Sequence, residues 1–363
     1  MYVDELDTPA VVIDLDIMDR NLKRLAEYTA SKQLSLRPHT KTHKIPELAK
    51  LQIASGAAGI TVAKPGEARV MCDGGIRDLL VAYPLVTETK AQKVADLAED
   101  CTLSVSLDSS EAIAAIGHAT ADKGVRIGIL IEIDVGFRRC GVATPEEAVR
   151  LAVEVSKHRQ LDFRGIMFYP GHLGVTPAEQ PGLIAEVNRT LERFFEVFYQ
   201  ARLDVSVVSG GSTATAYRSH EFIGVSEIRP GMYLLNDGNL VRLGVCSLDD
   251  CALHVHTTVV STAVNGRAIV DGGSKTFSSD RARGDKATFG TIREDSNAQF
   301  VALSEEHGHL DISHSDRKYH VGERLRILPN HVCTTVNMHD QLYGVRNGEV
   351  ERVWRVEARG KVQ

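Results

Sequence analysis

The sequence predicts an α/β fold, a (β/α)8 barrel of the TIM type followed by an antiparallel β domain. From about residue 10 to residue 240, short β-rich runs alternate with amphipathic stretches. This alternation is typical of a parallel sheet, and a count of eight runs suggests that the sheet closes into a barrel. After about residue 245 the alternation stops and hairpin signals replace it. At 363 residues the chain is long enough for two domains, and we expect a barrel over 10–243 and a β domain over 244–363 together with 1–9.

The predicted barrel strands are short segments rich in apolar and β-branched residues. They are Leu34–Arg37, Gly59–Val62, Asp78–Tyr83, Thr102–Leu107, Arg126–Asp134, Asp162–Tyr169, Val205–Ser209 and Glu227–Leu234.

Amphipathic spacing predicts helices before and between these strands. They include Asp16–Tyr28, Ile45–Ser55, Glu88–Ala98 and Thr144–His158. The last of these has a clear start, because Thr144 can cap it, Pro145 suits the first turn and Glu147 would complete a capping box.

Two Asn-Gly dipeptides predict hairpins in the second part of the chain. Asn265-Gly266 separates Leu253–Val264 from Arg267–Asp271, and Asn347-Gly348 separates Gln341–Arg346 from Glu349–Glu357. These hairpins predict an antiparallel sheet.

Composition excludes several classes of function. Apolar residues make up 43% and charged residues 25%, which is typical of a soluble globular protein. The net charge is −6 without a basic block, so neither nucleic acid nor a membrane surface is an expected partner. The acidic N-terminus lacks the features of a secretory signal, and the six scattered cysteines are typical of reduced thiols. We therefore expect a cytoplasmic protein.

A lysine follows the first predicted barrel strand, in the string Arg37-Pro38-His39-Thr40-Lys41-Thr42-His43-Lys44. Chemistry in β/α barrels sits at this end of the strands, and a lysine there can lose its proton and attack a carbonyl carbon. A solvated surface lysine is the alternative. The i, i+4 spacing of His39 and His43 is a weak zinc signal, because Pro38 disrupts a helix here.

The loop after the seventh strand reads Ser209-Gly210-Gly211-Ser212-Thr213. Glycines let backbone N–H groups converge on an anion and the hydroxyl groups add donors, so this loop can bind phosphate, with a plain turn as the alternative.

The sequence His331-Val332-Cys333 can bring one imidazole and one thiolate to the same side of a strand. Nitrogen and sulfur ligands favour zinc over magnesium or calcium, although a His-x-Cys pair alone is more often structural.

Several of these strings together resemble the D-threonine aldolase and D-serine dehydratase group, which are relatives of alanine racemase. The resemblance covers nearly the whole chain. It lies in the Lys41 string and in Asp7-Thr8-Pro9-Ala10, Asp134-Val135-Gly136-Phe137-Arg138-Arg139-Cys140-Gly141-Val142 and Pro329-Asn330-His331-Val332-Cys333. A further string, Arg229-Pro230-Gly231-Met232, resembles one of alanine racemase itself.

The resemblance implies pyridoxal 5'-phosphate as the cofactor, bound as a Schiff base to Lys41. It places Arg139 at the phenolic oxygen, Tyr169 in the cofactor site, Arg229 at the pyridine nitrogen, and Gly231 and Met232 with the Ser209–Thr213 loop at the phosphate. His172 is the expected base because of its position at the catalytic end of the sixth predicted strand; the aldolases place a histidine slightly further along, where this chain has Gly174 and Val175. A divalent metal is expected at His331 and Cys333, with zinc favoured by these ligands and manganese or magnesium as alternatives.

The implied reaction is cleavage of a D-β-hydroxy-α-amino acid to glycine and an aldehyde, by a homodimer. D-serine dehydratase activity is the first alternative. The cysteine at 333 resembles the dehydratases, whereas the following Thr-Val-Asn-Met-His-Asp resembles the aldolases. Amino-acid racemization and pyridoxal-phosphate binding without catalysis are the remaining alternatives.

Overall fold

The structure is a computed structural model that describes residues 1–283 and 288–363. The chain forms two compact units. The barrel unit consists of Lys23–Lys41, Ile45–Gly231 and Gly360–Gln363, and the β unit consists of Met1–Leu22, Thr42–Lys44 and Met232–Arg359. These boundaries differ from the expected ones, because Ala10–Asp14 forms a strand that pairs with strands of the β unit.

The strands, numbered in chain order, are β1 Ala10–Asp14, β2 Ser35–Leu36, β3 Ile60–Val62, β4 Asp78–Val81, β5 Thr102–Leu107, β6 Ile127–Ile133, β7 Leu161–Phe168, β8 Val207–Gly210, β9 Glu227–Ile228, β10 Leu253–Ser261, β11 Arg267–Val270, β12 Gly290–Ile292, β13 Gln299–Leu303, β14 Gly308–Asp311, β15 Arg324–Pro329, β16 Gln341–Arg346 and β17 Glu349–Arg355. The α-helices are α1 Leu15–Ser31, α2 Pro46–Ala54, α3 Pro65–Asp73, α4 Glu88–Leu97, α5 Ser110–Lys123, α6 Pro145–Val155, α7 Gln180–Gln200, α8 Gly238–Arg242, α9 Ser274–Phe277 and α10 Val332–Asn337.

The barrel unit contains eight parallel strands in the order β2-β9-β8-β7-β6-β5-β4-β3. A parallel bridge between His39 and Thr61 joins the two ends of this order, which confirms the predicted fold class. Each predicted strand segment overlaps one observed strand. The last is much shorter than predicted, because Pro230 has no N–H to continue the ladder.

Burial patterns explain why these segments fold as they do. All seven residues of β6 are buried, as expected for a parallel strand covered on both faces. Helix α7 buries Ile184, Val187 and Leu191 at helical spacing. At the start of α6, the Thr144 hydroxyl accepts the Glu147 N–H at 3.3 Å. The predicted capping box is incomplete, since the Glu147 carboxylate bonds Arg150 instead.

The β unit holds a nine-stranded sheet in the described part of the chain. Its strands pair antiparallel except for β1 and β16, which are parallel and were not anticipated. The Asn347-Gly348 turn is confirmed, and both residues have the positive φ (51° and 79°) that a tight hairpin requires. Strand β10 ends at Ser261 rather than Val264, so the first hairpin has a longer loop than predicted.

All six cysteines are free thiols in the structure. Among the described residues, none of the helices is long and apolar enough to cross a bilayer.

Candidate active site

Loops at the carboxyl ends of the barrel strands carry most of the predicted cofactor residues. Lys41 follows β2, Arg139 follows β6, and His172 follows β7. The Ser209–Thr213 loop continues from β8, and Arg229 and Gly231 follow β9. Because parallel strands end at the same rim of a barrel, this topology brings the predicted residues to one end of the unit.

Lys41 lies in a short 3-10 turn, Thr40–Thr42, and its side chain is exposed while Thr40 and Thr42 are fully buried. The hydroxyl of Thr40 donates to the carbonyl of Thr61 and to a carboxylate oxygen of Glu67, at 3.1 and 3.0 Å. These bonds hold the turn against β3 and α3. Lys44, the other lysine of the motif, is 8% exposed. The structure therefore makes Lys41 the accessible lysine.

The loops after β8 and β9 meet in a buried contact. The N–H of Gly231 donates to the hydroxyl of Thr213 at 3.2 Å, and the N–H of Ser212 donates to the hydroxyl of Thr215 at 3.1 Å. Gly211 has a φ of +86°, which favours glycine, and a Cβ on Gly210 would lie 2.1 Å from the ring of Phe168. Backbone conformation and packing thus also require glycine at these two positions, in addition to the phosphate-binding role that the sequence suggests.

A chain of hydrogen bonds holds Arg229 in the barrel interior. Its guanidinium donates to the Ser209 hydroxyl at 2.5 Å and to the Phe168 carbonyl at 2.9 Å. Ser209 in turn donates its one hydroxyl proton to Glu227 at 2.6 Å, and Glu227 also accepts from Arg37. Burial lowers the pKa of Arg229 to about 10, so the side chain still carries its proton at neutral pH.

This chain of bonds bears on two predicted cofactor contacts. Because the Ser209 proton is directed at Glu227, the hydroxyl has no second proton to offer a phosphate. A charged Arg229 would leave a facing pyridine nitrogen unprotonated, because the guanidinium keeps its own proton. Met232 begins a 3-10 turn, Met232–Leu234, and its carbonyl accepts from Asn236 at 2.7 Å.

Arg139 and Tyr169, which are both predicted to bind the cofactor, are in contact with each other. The guanidinium of Arg139 lies over the Tyr169 ring, 4.7 Å from its centre, and 5.5 Å from the centre of the Phe137 ring. Cation–π contacts of this kind orient a planar arginine. A guanidinium nitrogen of Arg139 also lies 4.0 Å from Glu132, a buried carboxylate that accepts from the Cys140 thiol at 3.0 Å.

His172 follows β7 in a 3-10 turn, Gly171–Leu173. Its Nδ1 is buried and has no hydrogen-bond partner in the part of the chain that the structure describes. Burial lowers the pKa of His172 from its ordinary value of 6.5, and the nearby charges of Asp134 and Glu186 only partly offset this effect. The imidazole is therefore neutral at pH 7 and able to accept a proton.

His331 and Cys333 lie at the start of helix α10, not in a strand as predicted. The strand β15 ends at Pro329, and His331 is the extended residue that precedes the helix, while Cys333 lies in its first turn. The Cys333 thiol is still close enough to His331 to act on the pKa of its imidazole. Burial opposes a charge on His331, but hydrogen bonds with Asp237 and Cys333 outweigh it and raise the pKa of His331 to about 10.

The donor set at this position suits a soft or borderline divalent cation, because it combines an imidazole with a thiol. Within residues 1–283 and 288–363, no group of three or more histidine, cysteine, aspartate or glutamate side chains is arranged as a metal site. A cation here would have two ligands from the protein and would leave other positions open, as catalytic metals do. The Thr42 hydroxyl, one residue after Lys41 in the chain, lies 3.2 Å from the Cys333 sulfur.

Three acidic residues near these groups were missed by the sequence analysis. Asp237 contacts His331, Glu132 contacts Arg139, and Glu67 holds the turn of Lys41. Asp237 precedes a short helix and could have been noticed as an N-cap, and Glu132 stands out as an acidic residue in an apolar strand. No local pattern singles out Glu67.

Comparison with known proteins gives full-length matches. The model of the alanine racemase N-terminal domain matches residues 13–237, and that of the putative serine dehydratase domain matches residues 252–345. A 3-hydroxy-D-aspartate aldolase of Paracoccus denitrificans (strain Pd 1222) is 32% identical, over 98% of this chain and 93% of the relative. The crystal structure of a D-threonine aldolase from Filomicrobium marinum is 32% identical, covers 99% of this chain and 98% of its own, and has a TM-score of 0.92.

The solved structure of D-threo-3-hydroxyaspartate dehydratase from Delftia sp. HT23 is also similar, with 30% identity, 98% coverage of both chains and a TM-score of 0.90. Two variants of that dehydratase match as well. One replaces a cysteine by alanine and is described as the metal-free form, and the other replaces a histidine two positions earlier. That spacing equals the spacing of His331 and Cys333.

Proposed function

This chain belongs to the pyridoxal-phosphate-dependent, alanine-racemase-like family that carries a serine dehydratase domain, and we propose that it cleaves D-β-hydroxy-α-amino acids to glycine and an aldehyde. Its relatives are aldolases and dehydratases, so it is a lyase. The observation that carries the aldolase assignment is His172, a neutral imidazole with an unpartnered Nδ1 at the catalytic end of the barrel.

In the proposed reaction, Lys41 would hold the cofactor covalently through its side-chain amine. Arg139 and Arg229 follow β6 and β9, and the planar guanidinium group of each can orient the cofactor. The phosphate is assigned to the backbone amides and hydroxyls of the Gly210–Thr213 loop and to Gly231. When bound, pyridoxal phosphate withdraws the electron pair that bond cleavage leaves on Cα.

His172 takes the proton from the β-hydroxyl group of the substrate. The Cα–Cβ bond then breaks, the oxygen and Cβ become the carbonyl group of the aldehyde, and Cα gains a proton to give glycine. His331 and Cys333 would hold a divalent cation, which would supply a lowered pKa for a hydroxyl group bound to it. Zinc is the metal that these two ligands favour.

Dehydration of D-β-hydroxy-amino acids is the second candidate. Cys333 favours it, since the Delftia dehydratase also has a cysteine, and the variant in which alanine replaces this cysteine is described as the metal-free form. In that reaction Lys41 takes the α-proton, the β-hydroxyl leaves as water, and hydrolysis gives a keto acid and ammonia. The homodimer and the cytoplasmic location remain predictions.

Product analysis separates the two candidates. The purified protein, supplied with pyridoxal phosphate and zinc or manganese, is incubated with D-threonine, D-serine and 3-hydroxy-D-aspartate. We expect glycine in equimolar amount with acetaldehyde, formaldehyde or glyoxylate, respectively. Keto acid and ammonia in place of glycine would contradict the aldolase assignment and support the dehydratase.

The pH profile tests the role of His172. A base with a lowered pKa stays unprotonated until the pH falls through that pKa, so the acid limb of kcat/KM should lie below pH 6.5. His172→Asn should lose about 10²–10⁴-fold in kcat/KM and should lose this limb. Glu186→Gln, which removes a charge that raises the pKa of His172, should move the limb slightly further down. An acid limb that persists in His172→Asn would exclude His172 as the base.

A further inference from the structure

Asp237 is fully buried in the β unit and precedes the short helix α8. We propose that Asp237 is a positioning residue for the metal: it keeps the ring proton of His331 on Nδ1, so that the Nε2 lone pair faces the cation. This inference rests on the proposed function, because it concerns the cation assigned to His331 and Cys333.

Both carboxylate oxygens of Asp237 make defined hydrogen-bond contacts. Oδ1 accepts the N–H of Leu240 at 2.9 Å, which caps helix α8. Oδ2 accepts the N–H of Val332 at 3.3 Å and lies 3.2 Å from Nδ1 of His331. An ionised carboxylate accepts hydrogen bonds and donates none, so Nδ1 is the donor in the last contact.

The consequence is a defined tautomer when the imidazole binds a cation. Nδ1 carries the proton and Nε2 supplies the lone pair, which is the arrangement that outer carboxylates impose on metal-binding histidines. The contact with Val332 adds rigidity, because the same oxygen holds the backbone next to His331. Asp237 therefore fixes the ring orientation as well as the tautomer.

Helix capping alone does not require a carboxylate at this position. Asparagine caps helices as well as aspartate does, and one oxygen suffices for the Leu240 N–H. A buried carboxylate is costly unless its oxygens are paired, and here the second oxygen is paired with His331 and Val332. Aspartate at position 237 is therefore explained by its contact with His331 and not by helix capping alone.

Asp237→Asn separates the two roles. The asparagine oxygen can still accept from Leu240, but its NH₂ group then faces Nδ1 of His331. Nδ1 must accept, the ring proton moves to Nε2, and the metal-binding lone pair is lost. We expect the zinc dissociation constant, measured by competition with a chelator, to rise about 10–100-fold.

The matched control is Asp295→Asn in the same unit. Asp295 also accepts several hydrogen bonds, but its partners are Ser315, Tyr319 and the backbone of Asn297 rather than His331. This variant should bind zinc as the unaltered protein does. Equal losses of affinity in Asp237→Asn and Asp295→Asn would overturn the inference, since they would indicate a general structural effect.

Two further measurements distinguish failure of this inference from failure of the proposed function. Nitrogen NMR of the zinc-loaded, unaltered protein should show the His331 proton on Nδ1, and a proton on Nε2 would overturn the inference even if Asp237→Asn does not fold. His331→Ala and Cys333→Ala should both lose zinc. If they keep it, the proposed metal site fails; if they lose it while Asp237→Asn keeps full affinity, only the role of Asp237 fails.

Discussion

Lys41→Met is expected to lose the absorbance of lysine-bound pyridoxal phosphate and to lower lyase activity by at least about 10²-fold. Lys41 is the exposed lysine of its motif, and its turn is anchored by the hydrogen bonds of Thr40 to Thr61 and Glu67. Methionine keeps much of the side-chain length but has no amine to bond the cofactor. The measurements are the visible spectrum after gel filtration with excess cofactor and the initial rate of aldehyde release.

Lys44→Met is the matched control, because Lys44 belongs to the same string but is buried. We expect it to keep the absorbance of the bound cofactor. If Lys41→Met kept the colour and Lys44→Met lost it, the cofactor lysine would have been assigned to the wrong residue.

Removal of the cation is the second change with a large expected effect. Dialysis against a chelator should lower the rate of bond cleavage by about 10³-fold, which corresponds to about 4 kcal/mol of transition-state stabilisation from a bound cation. His331→Ala and Cys333→Ala should show the same loss, and metal should restore the chelated protein but not the variants. Metal content is measured alongside activity.

Cys101→Ala serves as the thiol control, since Cys101 is a free thiol of the barrel unit whose sulfur donates to the backbone of Leu97. Its activity and metal content should be unchanged. Full activity of the chelated protein would remove the cation from the proposed mechanism and leave Lys41 and His172 as the remaining assignments.

The barrel could be predicted because each of its strands is a local signal. A fully buried strand such as β6 forms an apolar run in the sequence, whichever strands it pairs with. The helices between the strands show their helical periodicity in the sequence in the same way. The Asn347-Gly348 hairpin was predictable for the same reason, since the turn chemistry depends on two adjacent residues. The parallel pairing of β1 with β16 joins segments more than 300 residues apart and has no local signal.

The candidate site was predictable where residues follow strand ends or match a motif, as for Lys41, Arg139 and His172. It was not predictable where a side chain acts through a distant contact. Asp237 lies 94 residues from His331 in sequence, and their contact is visible only in the folded chain. His331-Val332-Cys333 was predicted as a strand because i, i+2 spacing in a strand brings the imidazole and the thiolate to the same side, but β15 ends at Pro329 and these residues begin helix α10.

The most direct test of the central claim is to trap the cofactor on the protein. Borohydride reduction of the enzyme with pyridoxal phosphate makes the bond to a lysine permanent, and peptide mass spectrometry then locates the added mass. The account predicts a single phosphopyridoxyl group on Lys41. A label on another lysine, or scattered labelling that substrate does not prevent, would contradict it.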